Sequence, residues 1–63
     1  MQQELNDERL LTRAEVQRYF GISQRFLEMA AVKGEGPPIV RIGRSVRYRT
    51  VDIRNWISDR RET

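Results

Sequence analysis

The sequence predicts a small α+β domain in which two capped helices, joined by a tight turn, are followed by a β-hairpin and a third short helix. Three observations carry that expectation. Thr12-Arg13-Ala14-Glu15 has the form of a capping box and precedes apolar residues at helical spacing. Ser23 can start a second helix so soon afterwards that only Gly21 and Ile22 are left to turn the chain. Beyond Gly36-Pro37-Pro38, two alternating runs flank Gly43-Arg44-Ser45, which is a hairpin signal.

Composition sets limits on function. A chain of 63 residues is one domain at most, and at that size only about 60% of the unfolded surface is buried. The core must come from few side chains: Leu11, Val16, Tyr19, Phe20, Ile22, Leu27, Val40, Ile42, Val46, Tyr48, Ile53, Trp56 and Ile57 are the candidates. With no cysteine and no histidine, neither a disulfide nor a structural zinc site is expected, and no cofactor or metal is called for. An enzyme is not expected either, because Glu15, Glu28, Asp52 and Asp59 read as caps and surface charges rather than a converging catalytic set. No apolar run approaches the roughly 20 residues needed to span a bilayer, and Met1 to Glu8 lacks the basic and apolar regions of a signal peptide, so a cytoplasmic protein is expected.

Charge points to a partner. Residues 1–8 hold three of the nine acids and no base, which leaves twelve bases against six acids, a net charge of +6, on the rest of the chain. Eleven of the twelve bases are arginine, whose planar fork suits phosphate oxygens and guanine edges. Arginines also serve as solvated residues that discourage edge pairing, and that reading stands beside the first.

In chain order, residues 1–9 are expected to be a flexible lead-in, residues 10–60 the folded domain and residues 61–63 a frayed tail. The first helix places Val16, Tyr19 and Phe20 on one face and stops at Gly21, where a left-handed turn is available. The second runs from about Gln24 to Lys33 and packs through Leu27, Ala30 and Ala31, leaving Gln24, Arg25 and Glu28 on its opening turn. In the hairpin, a three-residue loop over Gly43 to Ser45 puts Ile42 against Val46 and Val40 against Tyr48 on the inner face, with Arg41 opposite Arg47 outside. Opposed like charges destabilise a sheet, and a polyanion would relieve them. Thr50 is expected to cap the last helix, with Asp52 in its first turn and Ile53, Trp56 and Ile57 facing the core.

Taken together, Leu11-Thr12 with Glu15-Val16, Gly21-Ile22-Ser23, Gly36-Pro37, Ile42-Gly43-Arg44 leading to Val46-Arg47-Tyr48, and Asp52-Ile53 with Trp56-Ile57 resemble the small excisionase and AlpA-type helix-turn-helix family, which is related to MerR-type winged helices. The resemblance covers about residues 10–57. It departs after Ser23, where members often carry Thr, an apolar residue, Tyr and Arg, whereas this chain has Phe26, Leu27, Glu28 and Met29. The resemblance implies a winged helix-turn-helix that binds double-stranded DNA, either as an excisionase acting with a tyrosine or serine integrase or as a transcription regulator. A bacterial or phage origin and cooperative self-association on adjacent sites are also implied. A protein-binding antirepressor is the remaining alternative.

The expected contacts follow. Gln24 and Arg25 would read base edges, with Ser23 beside them, and Glu28 would either accept from a cytosine amino group or lie along the groove wall. Arg44, with Ser45, would reach a minor groove from the hairpin tip. Arg41, Arg47 and Arg49 would meet phosphates, as would Thr12, Arg13 and Arg18 from the first helix. About five phosphate contacts imply a slope of roughly −4 to −5 for log K against log salt.

Overall fold

A computed structural model describes residues 5–61. Its elements are β1 (Leu10–Leu11), α1 (Arg13–Phe20), α2 (Gln24–Val32), β2 (Val40–Ile42), β3 (Ser45–Arg49) and α3 (Thr50–Asp59). The fold is the predicted small α+β winged helix-turn-helix with one strand more than expected, since β1 pairs antiparallel with β3 to give the order β1-β3-β2. That pairing sets Leu11 opposite Tyr48, and both side chains are almost fully buried.

Local chemistry explains the helix boundaries. Thr12 closes the reciprocal box: its hydroxyl accepts from the Glu15 amide at 3.0 Å and its own amide donates to the Glu15 carboxylate at 2.9 Å. The Arg9 guanidinium pairs with the same carboxylate at 2.9 Å. The Thr12 amide and the adjacent Arg9 charge hold the Glu15 carboxyl below its ordinary pKa. Gly21, in the left-handed region, closes α1, and Ser23 caps α2 by accepting from the Phe26 amide at 3.0 Å.

The core is Leu11, Val16, Leu27, Tyr48 and Ile53, flanked by the partly buried Leu5, Phe20, Ile22, Ile39 and Val46. Three expectations change. The hairpin register is Val40 with Arg47, Arg41 with Val46 and Ile42 with Ser45, so its loop is the two residues Gly43 and Arg44. Residues paired across strands share a face, so this one-residue slip turns Val40 and Ile42 outward and brings Ile39 in. Gly43 has φ +60° and Arg44 is not left-handed, which is the geometry of a type II′ turn with glycine first. The turn chemistry outweighed the apolar alternation because Ile42, at the end of the hairpin, has no core to reach and remains 54% exposed. Arg41 and Arg47 therefore lie on opposite faces, and the expected repulsion between them does not arise.

The second change is at α3. Thr50 is inside the helix rather than its cap, fully buried, and both its amide and its hydroxyl donate to the Arg9 carbonyl at 3.0 Å. The Val51 amide donates to the Asp7 carbonyl at 3.0 Å, so backbone carbonyls from the N-terminal segment do the capping. Only Ile53 of the expected α3 face is buried, because Trp56 is half-buried and Ile57 is 38% exposed.

The third concerns the lead-in. Met1 to Glu4 lie outside the described residues, but residues 5–9 fold back on the domain. Asn6 starts a turn, accepting from the Glu8 amide at its side chain and from the Arg9 amide at its carbonyl. Asp7 then pairs with Arg54, and Glu8 with Arg49 at 2.9 Å. At the other end, Arg61 is the only described residue of the expected tail, and its amide donates to the Ser58 carbonyl at 3.2 Å. Among the described residues no helix is long and apolar enough to cross a membrane.

Candidate nucleic-acid interface

The helix pair sets out the first part of the site. Leu27 and Ala30 are buried on the inner side of α2, and at about 100° per residue the opposite side carries Arg25, Glu28, Met29 and Val32, all exposed. Ser23 is engaged as the cap. Gln17 adds a lock that the sequence reading missed: its side-chain carbonyl accepts from the Gln24 amide at 2.9 Å, bridging α1 to the start of α2. A glutamine seven positions upstream carries no local cap signal, so only the turn geometry reveals it. The Gln24, Arg25 and Glu28 side chains make no hydrogen bond or ion pair among the described residues and are free to meet a ligand.

The arginines of the hairpin divide into three groups. Arg41 and Arg44 are exposed near the tip with no ion pair among the described residues. Arg47 is half-buried on the face that also carries Val40, and it donates to the Val46 carbonyl at 3.0 Å. Arg49, expected to be a free phosphate contact, is instead held by Glu8. Ser45 is exposed beside the turn.

The first helix is more committed than expected. Arg13 donates from Nε to the Tyr48 hydroxyl at 3.3 Å, a bond that ties α1 to β3 and gives the buried tyrosine a polar partner. Thr12 is engaged in its box. Arg18 is exposed, its guanidinium 5.8 Å from the Tyr19 ring centre. Of the three expected phosphate contacts in this region, Arg18 alone has no hydrogen bond or ion pair among the described residues.

A separate surface lies between the interhelical turn and α3. Phe20, Ile22, Trp56, Ile57, Arg60 and Arg61 line most of an open groove of about 530 Å³. Arg60 stacks over the Trp56 ring at 4.0 Å, and the Phe26 ring meets Trp56 at 6.0 Å between centroids. Phe26 is thereby drawn to the flank of α2, away from the helix's outward face.

Residues 10–61 match the helix-turn-helix domain family, the family of excisionase-like and AlpA-like small DNA-binding proteins. The chain belongs to this family. Neither the curated proteins nor the solved structures yield a match. As a helix-turn-helix protein it is a small DNA-binding protein, with α1 and α2 as the helix pair and the β2–β3 hairpin as the wing.

Proposed function

We propose that this helix-turn-helix protein binds double-stranded DNA sequence-specifically and acts as an excisionase, directing an integrase toward excision at an attachment site. One observation carries the DNA-reading part. The outward face of α2 is uncommitted while its inner face is anchored on α1, which is how a helix is presented to a major groove. Gln24 and Arg25 stand on its first turn, where Gln suits adenine and Arg suits guanine. The molecule is 33 Å across its longest axis, about one turn of DNA, so a helix in one groove and the tip arginine Arg44 in the next fit a single domain. Arg18, Arg41 and Arg47 then serve the phosphates. Support for excision in particular comes from the sequence resemblance, and the same fold serves AlpA-type regulators.

Two measurements test the reading. A heparin-competed gel shift at low salt is expected to retain duplex DNA, and no retained complex would favour a protein partner instead. A recombination assay with a tyrosine or serine integrase from the same genetic element is expected to yield more excision product when this protein is added. An unchanged ratio of excision to integration would leave the transcription-regulator role in its place.

A further inference from the structure

The second half of α2 departs from what a polar recognition helix requires. Met29 is 47% exposed and Val32 is 84% exposed, and both lie on the outward face with Arg25 and Glu28. The four are contiguous: Arg25 and Met29, and Glu28 and Val32, are four apart, while Arg25 and Glu28, and Met29 and Val32, are three apart. Single exposed apolar residues are ordinary on protein surfaces. Two neighbours on the face of the helix that carries the reading side chains are a different case, because there they determine what the groove must offer. Phe26, the third exposed apolar residue of α2, already has a partner in Trp56, whereas neither Met29 nor Val32 is part of the buried core.

A major groove offers one apolar group that an aliphatic side chain can recognise, the C5 methyl of thymine. We infer that Met29 and Val32 form a thymine-methyl reading patch, which makes them specificity-determining residues beyond the polar first turn. This rests on the DNA-binding reading above. From Arg25 to Val32 the helix advances about 10 Å, the length of about three base steps. The preferred site therefore combines a guanine facing Arg25 with one or more thymines further along the helix. Guanidinium and methyl contacts differ in one measurable respect, since the methyl contact disappears when thymine is replaced by uracil with all hydrogen-bonding groups intact.

The test uses the intact chain and duplexes selected by it from a random pool. Thymines of the selected site are replaced one at a time by uracil, and affinities are compared for the native chain, Met29→Ala and Val32→Ala. Removing a buried methyl corresponds to about fourfold weaker binding. That loss is expected at one or two thymines with the native chain, and it is expected to vanish at a given thymine in the variant lacking the side chain that covers it. Equal affinity for thymine and uracil duplexes throughout would overturn the inference while leaving DNA binding intact. So would a uracil penalty that persists undiminished in both variants. A pool from which no sequence is enriched at low salt would overturn the DNA-reading proposal itself and this inference with it.

Discussion

Glu15 joins the ends of two segments, since its carboxylate accepts from the Thr12 amide and pairs with Arg9, whose carbonyl in turn receives Thr50. Replacing Thr12 by Ala is expected to cost about 1 kcal/mol in urea unfolding, the usual worth of an N-cap. Because Glu15 has a lowered pKa in the folded protein, its contribution is complete above the unfolded value of about 4.3 and is lost as pH falls through the lower folded value. Glu15→Gln should therefore flatten the fall in stability at acid pH, and an unaltered acid limb would show that the carboxylate adds nothing. Gly36 makes a separate residue-scale case. At φ +86°, a Cβ there would lie 2.9 Å from the Ala30 Cβ, whereas a Cβ on Gly43 would meet nothing within 4 Å. Both substitutions carry the left-handed cost of about 1–2 kcal/mol, and Gly36→Ala adds a clash against α2. Its midpoint of denaturation should be the lower of the two.

At the scale of elements, the hairpin and α3 are where alternation misleads. The observed register brings the α-protons of Arg41 and Val46 close together, since the residues flanking a two-residue loop's hydrogen-bonded pair face one another without hydrogen bonds, at about 4.5 Å between Cα atoms. A nuclear Overhauser contact between those α-protons is expected, and one between Arg41 and Arg47 in its place would restore the three-residue loop. On α3 the inward anchor is Ile53, fully buried, while Trp56 lies in the seam between Phe26 and Arg60. Ile53→Ala is accordingly expected to cost about 2–5 kcal/mol. Trp56→Ala should cost less than the usual large penalty for a buried tryptophan, as read from the same denaturant titration.

Across the whole molecule, the N-terminal segment is part of the fold. Its Asp7–Arg54 and Glu8–Arg49 ion pairs are exposed and each is worth about 0–1 kcal/mol, so the larger effect of residues 5–8 is the Asp7 carbonyl that accepts from the Val51 amide, together with the packing of Leu5. Deleting residues 1–8 should lower the melting temperature even at a salt concentration that screens the ion pairs. The same segment limits the charge offered to DNA. With Arg49 held by Glu8 and Arg13 by Tyr48, the contacts left to Arg18, Arg41, Arg44 and Arg47 imply a salt slope of about −3 to −4, shallower than the full arginine complement suggests. Glu8→Gln should steepen the slope by about 1 if Arg49 then reaches a phosphate, and an unchanged slope would place Arg49 away from the duplex.

What the sequence by itself determined is what short-range chemistry governs: the capping box, the tight turn between Gly21 and Ser23, the inward stripe of α2, the glycine-centred hairpin and the basic surface. Each depends on residues within a few positions of one another. The tertiary structure alone decided the matters that depend on distant partners. Leu10–Leu11 became a strand because β3, distant in sequence, supplied an edge, with Leu10 meeting Arg49 and Leu11 meeting Tyr48. Thr50 does not cap α3 because the carbonyls of Arg9 and Asp7 accept from the amides of Thr50 and Val51, and the Thr50 hydroxyl is itself turned to the Arg9 carbonyl. Arg13 and Arg49 left the free basic surface because Tyr48 and Glu8 were within reach. The inward choice between Val40 and Ile39 turned on a single residue of register, and alternation in a three-residue strand beyond the core is too weak to set it against the geometry of a type II′ turn.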